Sequence, residues 1–398
     1  MRDLILFGII FSLLPFCFFR PWMGILFFSW IGYMNPHRFT WSAAYDFPFA
    51  KIVAIVTVAG LFFTRDKQPL PKTRETILII LLGIYFTFTN FFAFYPDKAW
   101  TQWEKVIKIL IMTLVTMVLV NDRKKLKYLI MVIAFSIGLL GIKGGIFSLF
   151  TGGEHRVYGP EGSFFWDSND MALALNMTLP MLFYLAKDKE NTQLMNKLLW
   201  IALIMCIISI IFTYSRGGFL TLAGVGMLLL LKTKHKVFAV LIAMVALTIA
   251  MAYIPEKWFE RMDTIKNYEM DKSAMGRINA WHTAFNVAKD RPLIGGGFET
   301  FTPRVFDIYS PNPSAVHDVH SIYFEIIGEH GFVAFGLFIA LIFCTLLTAQ
   351  KLKWSVKTNE NYKWAKNYAN MFQISLIAYM IGGTFLGRAY FDLFYHIV

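Results

Sequence analysis

The short turn at residues 214–218, between two apolar runs, contains a serine, an arginine and two glycines. A turn of this length holds Arg216 at a membrane interface, where an unpaired cation costs about 2.5–3.5 kcal/mol on insertion scales. The glycines permit close backbone approach, and the start of the next helix presents unpaired N–H groups, so a phosphate group fits Arg216 and the neighbouring Ser215. The alternative is an arginine that extends to lipid headgroups, and the local sequence leaves both interpretations open.

A second candidate is Arg277, which follows Gly276 and precedes Trp281 by one helical turn. On a helix, Arg277 and Trp281 share one face. The planar guanidinium suits a pyrophosphate or a carboxylate, and a tryptophan beside it can stack on a sugar or on the guanidinium. The glycine run 295–297 lacks the Lys-Ser/Thr of a P-loop, and we interpret it as a flexible turn that ends a helix.

Two histidines, His317 and His320, flank Asp318 at the start of a long apolar run. The pattern His-Asp-x-His resembles a cluster of metal ligands, but no further carboxylate or cysteine pattern on the same side of the membrane completes a metal site. A neutral imidazole that acts as a general base suits the other residues better, because histidine titrates near neutral pH. The alternative is a histidine with only a structural role at the start of a helix.

Arg156 lies in the segment 151–169, and we predict that it contacts the substrate. Arginines together with a histidine describe a site for an anionic substrate, in which a base activates an acceptor hydroxyl. The sequence offers no Ser-His-Asp arrangement, since Ser215 neighbours an arginine rather than a base. It also lacks the paired carboxylates of a glycosidase.

The elements that must position these residues are membrane-spanning helices. Hydrophobic residues make up 57% of the 398 residues and charged residues only 16%, and a soluble fold of this size could not bury so much apolar surface. The apolar residues form blocks of roughly 16 to 25 residues, the length that crosses a bilayer. The sequence therefore predicts an all-α polytopic membrane protein with about twelve transmembrane helices. The predicted spans are 4–19, 22–34, 49–64, 76–95, 104–120, 128–150, 170–186, 198–213, 217–231, 237–254, 320–349 and 369–388.

The charged connections predict which ends of the helices share a side. We interpret the block 4–19 as a span rather than a signal peptide, because no small-residue cleavage site follows it. The net charge of +12 is assigned to the positive-inside rule rather than to nucleic-acid binding, since much of it falls in short connections. The connections placed in the cytoplasm are 65–74, 123–127, 187–197, 232–236 and 351–366.

The opposite side receives the segments that carry the candidate residues, and both termini. These segments are rich in aromatic residues, glycine, proline, histidine and single arginines, and connections on a rigid scaffold are where chemistry usually occurs. The segment 255–319 is predicted to form one long periplasmic loop with short helices near 258–267 and 277–289. The predicted divisions of the chain are 1–200, 201–254, 255–319 and 320–398.

In their order and spacing, these motifs resemble the O-antigen ligase/polymerase superfamily, over roughly residues 200–350. A family motif of His, then Asn, Ser or Gln, and two later glycines is matched by His320, Ser321 and Gly331. Its last glycine is replaced by Ala334, and we expect the nearby Gly336 to serve the same packing. The N-terminal half resembles the exosortase-associated O-glycosylation ligase subgroup.

The resemblance implies a metal-independent glycosyltransferase of lipopolysaccharide biosynthesis that needs no cofactor. It would transfer a glycan from undecaprenyl pyrophosphate to a lipid A–core sugar at the periplasmic face of the bacterial inner membrane. Carried over, Arg216 and Arg277 would bind the donor pyrophosphate, and His320 would deprotonate the acceptor hydroxyl for inverting attack; the motif spacing favours His320 over His317 for that role. Ser215, Trp281, His317 and Arg156 would contact the substrate.

Other functions use the same donor. A protein O-oligosaccharyltransferase or a polysaccharide polymerase differs only in the acceptor, which the fold does not determine. A transporter of lipid-linked glycans would bind the pyrophosphate without chemistry. Such a protein should show two related halves and intramembrane charges along a path, whereas this sequence shows no internal symmetry and Lys143 is its conspicuous cation within an apolar block.

Overall fold

The computed structural model describes residues 1–233, 272–356 and 359–398, together with Pro255, Glu256 and Trp258. This part of the chain is helical and contains no β-strand. Two short 3-10 helices, Pro36–Phe39 and Glu360–Tyr362, accompany the α-helices. The α-helices are α1 (Arg2–Phe19), α2 (Pro21–Met34), α3 (Phe49–Phe63), α4 (Arg74–Asn90), α5 (Pro96–Leu119), α6 (Arg123–Phe150), α7 (Ser168–Ala186), α8 (Gln193–Ile211), α9 (Arg216–Leu231), α10 (Lys272–Asp290), α11 (Pro303–Tyr309), α12 (Ile322–Ser355), α13 (Lys363–Gly383) and α14 (Asp392–Ile397).

The apolar blocks of the sequence coincide with these helices, apart from the predicted span 237–254, which lies outside the described residues. Among the described helices, α1, α6, α8 and α12 are long and apolar enough to cross a membrane, and α3 and α9 are shorter apolar helices. The protein is therefore a helical membrane protein. The count of about twelve spans stays a prediction. The helix predicted at 277–289 is confirmed as part of α10, and the one at 258–267 lies outside the described residues except for Trp258.

The chain forms two compact units, each made of two stretches of sequence. The first unit contains Met1–Pro71 and Met112–Leu222, and the second contains Lys72–Ile111 and Ala223–Val398. The first unit thus includes α1–α3 and α6–α8, whereas α4 and α10–α14 belong to the second.

In the first unit, small residues allow α6 and α8 to pack closely. A Cβ atom at Gly141 would lie 2.3 Å from Sγ of Cys206, and one at Gly145 would lie 2.6 Å from the carbonyl oxygen of Met205. Close backbone approach over glycine is a common way for membrane helices to associate, because lipid tails provide no hydrophobic driving force between helices. This packing fixes the helices that carry the segments 151–169 and 212–216 at their ends.

Ion pairs join three of the basic connections at one end of the first unit. Nζ of Lys125 lies 2.6 Å from Oδ1 of Asp66, and Nζ of Lys127 lies 2.7 Å from Oδ2 of Asp188. Arg123 also pairs with Glu190. The connections near residues 66, 123–127 and 188–190 therefore meet, in agreement with the prediction that they share one side of the membrane.

In the second unit, α12 is interrupted at Gly331, whose φ of 76° and ψ of −174° are not helical. The interruption frees backbone groups that a continuous helix would pair with one another. The turn that follows α10 pairs them instead: the N–H of Gly296 donates to the carbonyl of Gly328 at 2.9 Å, and the N–H of Gly297 donates to that of Glu329 at 2.7 Å. The N–H of Phe332 donates to the carbonyl of Pro292 at 2.8 Å. The predicted helix-ending turn is confirmed, and it also completes the broken helix.

A glycine is required at this break. A Cβ atom at Gly331 would lie 2.4 Å from the carbonyl oxygen of Pro292, in addition to the unfavourable positive φ. We expect Gly331→Ala to destabilise the protein by about 2–3 kcal/mol, measured as a lower thermal unfolding temperature in detergent.

Gly336 provides the matched control for this substitution, because a Cβ atom there would contact none of the residues that the structure describes within 4 Å. Gly336→Ala should therefore be neutral or slightly stabilising, since alanine favours a helix by about 0.5–1 kcal/mol over glycine. Equal unfolding temperatures of the two variants would contradict the broken helix. The same open space shows that our expectation for Gly336 was wrong: it does not replace the packing of the missing motif glycine, and Ala334 is itself fully buried.

A buried polar network surrounds the break. The Glu329 carboxylate accepts hydrogen bonds from the backbone N–H of Glu299, at 2.8 Å, and from the Tyr390 hydroxyl. The His330 ring lies between two hydroxyls, with Nε2 3.0 Å from Oη of Tyr390 and Nδ1 2.6 Å from Oγ1 of Thr89. Buried polar groups stabilise a fold when they are all paired, and this network ties α4, α12 and the segment before α14 together.

Candidate functional site

In the first unit, Ser215 is the cap of helix α9. Its hydroxyl accepts a hydrogen bond from the N–H of Gly218 at 3.1 Å, which is the usual N-cap interaction. The same hydroxyl lies 2.7 Å from Oδ1 of Asn169, to which it donates. Tyr214 before it has a φ of 55°, so the backbone turns sharply and places the half-buried Arg216 in the first turn of the helix. The serine hydroxyl thus orients the turn that carries the arginine.

The segment 151–169 folds onto this turn. The hydroxyl of Tyr214 donates to the carbonyl of Gly153 at 2.7 Å, and the N–H of Val157 donates to the carbonyl of Phe212 at 2.9 Å. The Arg156 guanidinium lies 5.9 Å from the centre of the Tyr214 ring. Burial raises the pKa of Tyr214, and the Arg156 cation opposes that rise. The structure therefore brings three predicted site residues, Arg156, Ser215 and Arg216, to one turn.

In the second unit, α10 contacts the candidate histidine His317 at Gly276. A Cβ atom at Gly276 would lie 2.8 Å from Cδ2 of His317, so only glycine permits this contact without a shift of the ring. The rings of His317 and His320 are 5.2 Å apart in a T-shaped arrangement. Nδ1 of His320 lies 3.7 Å from Oδ2 of Asp318. Arg277, the residue after Gly276, is thereby held on the helix that packs against His317, whose ring in turn contacts His320.

The backbone at His320 has a φ of 39°, which is rare outside glycine. Strained backbone of this kind persists where the surroundings fix it, and it is common at functional sites. Two residues that we did not predict contribute here. A Cβ atom at Gly387 would lie 3.5 Å from the backbone N of His320 and 3.7 Å from Oε2 of Glu325. The Glu325 carboxylate also accepts the N–H of Ala389 at 2.9 Å and thus holds that segment beside His320.

An acidic residue within an apolar span is a sequence signal that would have found Glu325, because such residues are costly in a membrane. Gly387 had no comparable signal, since its role follows from which segment packs on His320. Asn279 was missed as well. Its amide Nδ2 donates to the carbonyls of Asn312 and Ala315 at 2.9 Å and 3.0 Å, and its Oδ1 accepts the N–H of Asn312 at 3.0 Å. Asn279 therefore shapes the segment that leads to His317.

Helix α11 is attached to the end of α10 through Tyr309. The hydroxyl of Tyr309 donates to Oδ2 of Asp290 at 2.7 Å. Burial, together with this hydrogen bond and the nearby carboxylate charge, raises the pKa of Tyr309. The Tyr309 hydroxyl therefore keeps its proton at neutral pH and continues to donate to Asp290.

Trp281 has protein partners for both its N–H group and its ring. The indole N–H donates to the carbonyl of Val319 at 2.8 Å. The ring stacks on Phe324, with centroids 5.2 Å apart and planes 7° apart. These contacts hold the residue before His320 against α10. The predicted substrate contact of Trp281 stays a prediction, and the structure adds a positioning role.

We expect Trp281→Phe to lower the rate of glycan transfer about tenfold with little effect on donor affinity. The phenyl ring can keep the stack on Phe324, but the Val319 carbonyl loses its partner, at a cost of about 1–3 kcal/mol. The loosened backbone would misplace His320. Initial rates at varied donor concentration separate the rate from the affinity. Trp354→Phe, an exposed tryptophan at the other end of α12, is the control. A loss of donor affinity at an unchanged rate would instead assign Trp281 to substrate stacking.

The structure thus places the predicted residues in two groups, one in each unit. Among the described residues, no group of three or more His, Cys, Asp and Glu side chains is arranged to hold a metal ion. In the first unit, Arg216 directly follows the helix cap Ser215. In the second unit, Arg277 directly follows Gly276, which packs against His317. Such an arrangement can bind an anionic substrate and, in the second unit, supply a base.

Comparison with known protein families gives two matches that together cover most of the chain. Residues 201–339 match a family described as O-Antigen ligase. Residues 1–190 match a family of unknown function. A comparison with curated proteins gave no match. The first match contains Arg216, Arg277 and His320, and it agrees closely with the range of the motif resemblance.

Proposed function

Because residues 201–339 place the chain in the O-antigen ligase superfamily, we propose that it ligates a lipid-linked glycan to the sugar of lipid A–core. The family match supports a ligase- or polymerase-type glycan transfer and lipid-linked glycan substrates in a membrane. We further propose that the donor is an undecaprenyl pyrophosphate glycan and that the acceptor is lipid A–core. The reaction would take place at the periplasmic face of the bacterial inner membrane.

In the proposed reaction, the acceptor hydroxyl oxygen attacks the anomeric carbon of the donor sugar. A new glycosidic C–O bond forms, and the bond from the anomeric carbon to the pyrophosphate oxygen breaks, so that undecaprenyl pyrophosphate leaves with the electron pair. His320 takes the acceptor proton. Arg216 and Arg277 bind the pyrophosphate and stabilise the charge that develops on it, with about 1.5–3 kcal/mol for each charge-assisted hydrogen bond.

The observation that carries this proposal is the contact between α10 and the histidine pair. His317 packs against Gly276, whose neighbour is Arg277, and also against the ring of His320. Arg277, the cation for the leaving group, and His320, the base for the acceptor, are thus linked through the contact between Gly276 and His317. The strained backbone at His320 gives further support, because its orientation is fixed by the surrounding segments.

The transporter hypothesis loses support from the position of Lys143. Its ammonium group lies 4.8 Å from the centre of the Phe39 ring, in the 3-10 helix at one end of the first unit. A lysine that extends to an interfacial aromatic ring is accounted for by snorkelling. It therefore provides no argument for a charged path through the membrane.

The proposal is tested by incubating the purified protein with an undecaprenyl pyrophosphate glycan and lipid A–core, with and without EDTA. Glycan-capped core in both reactions supports a metal-independent ligase. Transfer to a protein, or growth of the glycan without another acceptor, would identify the oligosaccharyltransferase or the polymerase. Donor binding without transfer to any acceptor, combined with movement of the donor across vesicles, would contradict the enzyme and support the transporter.

A further inference from the structure

Helices α1, α2 and α6 of the first unit enclose an apolar groove of about 490 Å³. Side chains from all three helices line the groove, and on each helix they recur at helical spacing. Helix α2 lies between the other two. The lining side chains include Phe16 of α1, Phe27 and Trp30 of α2, and Tyr128, Phe135 and Leu139 of α6. Phe16 and Leu139 are also exposed, at 53% and 47%, so the groove is open toward the surrounding lipid.

Aromatic rings and lysines mark one end of the groove. The rings of Trp22 and Tyr128 stack with centroids 6.3 Å apart. Nζ of Lys125 lies 6.0 Å from the Trp22 ring, and Nζ of Lys124 lies 5.9 Å from the Tyr128 ring. Tryptophan and tyrosine are enriched at membrane–water interfaces. This end of the groove is therefore at the headgroup level, on the side where the basic connections meet.

Two cations at this end lack an anionic partner among the residues that the structure describes. Lys125 is paired with Asp66. In contrast, Arg20 and Lys124 are exposed and make no ion pair within residues 1–233, 272–356 and 359–398. Arg20 stands just before Trp22 and Lys124 one helical turn before Tyr128, so the stacked rings bring both cations to the same end of the groove.

The groove has the length of one leaflet of a bilayer. From Tyr128 to Leu139 it follows α6 for roughly 16 Å, at a rise of about 1.5 Å per residue. The hydrocarbon of a whole bilayer is about 30 Å thick. A groove that begins at the headgroup level and ends near the midplane fits an acyl chain of a lipid in one leaflet, and the two cations at its head favour an anionic headgroup.

We propose that α1, α2 and α6 form a binding site for one anionic phospholipid. One acyl chain lies in the groove, and the phosphate lies between Arg20 and Lys124. The site is independent of the glycan-transfer residues, all of which lie elsewhere in the sequence. The lipid fills the gap between the three helices and stabilises their packing at the end where the basic connections meet.

Native mass spectrometry of the delipidated protein tests the site, with phosphatidylglycerol and phosphatidylethanolamine of identical acyl chains as probes. We expect preferential binding of phosphatidylglycerol. The double variant Arg20→Ala/Lys124→Ala should weaken that binding about 30-fold, since each interfacial cation contributes about a fivefold factor. Binding of phosphatidylethanolamine should fall much less, because the ammonium group of its headgroup already offsets the charge of its phosphate.

The matched control is Lys189→Ala/Lys197→Ala, which removes the same charge from exposed positions that do not line the groove. A second variant, Val132→Trp, fills the groove and should reduce the binding of both lipids while Arg20 and Lys124 are kept. Equal binding of the two lipids by the unmodified protein would overturn the proposal. So would a control variant that loses as much phosphatidylglycerol as the Arg20→Ala/Lys124→Ala protein.

Discussion

His320→Ala is expected to lower the rate of glycan transfer by about 10²–10⁴-fold, the usual contribution of a general base, while the folded protein is retained. His320 is partly exposed, and its backbone is fixed by Gly387, Val319 and the start of α12, so the loss of its ring removes little packing. Without the imidazole, the acceptor hydroxyl keeps its proton as the new bond forms. The rate is measured with saturating donor and lipid A–core, so that only the chemical step is compared.

Two further histidine variants decide which residue is the base. His282→Ala is the control, because His282 is exposed on α10 in the same loop. His317→Ala should reduce the rate less than His320→Ala, since the His317 ring supports His320 from the side. If His317→Ala abolished transfer and His320→Ala did not, the two roles would be exchanged. Activity close to normal in both variants would contradict a histidine base.

The second large effect is expected from the arginines. Arg216→Ala and Arg277→Ala should each lower kcat/KM about 10–150-fold, which corresponds to about 1.5–3 kcal/mol for a hydrogen bond to a charged group. Lysine at either position should restore only part of the activity, because an ammonium cannot bind the pyrophosphate with two parallel N–H groups. Initial rates at limiting donor concentration measure this quantity directly.

Arg304→Ala is the matched control for both arginines, since Arg304 is an exposed arginine in the same loop as Arg277. Its rate should equal that of the unmodified protein. If Arg216→Ala left donor use unchanged while Arg277→Ala abolished it, Arg216 would be an arginine that contacts lipid headgroups, as the local sequence also permits. The pyrophosphate would then be bound from the second unit alone.

The positions of the helices followed from the sequence to a large extent. Long apolar blocks have to be helical in a membrane, because every backbone polar group must find a partner within the segment. Hydropathy misses the polar ends of these helices. Helix α5 begins at Pro96, whereas the apolar block was predicted to begin at 104. The prediction missed the first two turns because they carry charged side chains, although the helix there is regular. The turn at Ser215 was predictable from its composition, and the structure shows that Ser215 caps α9 by accepting the N–H of Gly218.

What the sequence determined by itself about this protein is its helical, membrane-embedded class and the short motifs that contain Arg216, Arg277 and His320, since apolar runs and local spacing are properties of neighbouring residues. The tertiary structure decided what surrounds those motifs. Gly387 lies beside His320, Trp281 bonds to Val319, and Thr89 reaches His330 across 241 residues of sequence. These contacts depend on which helices pack together, and hydropathy carries no information about the partner of a helix face.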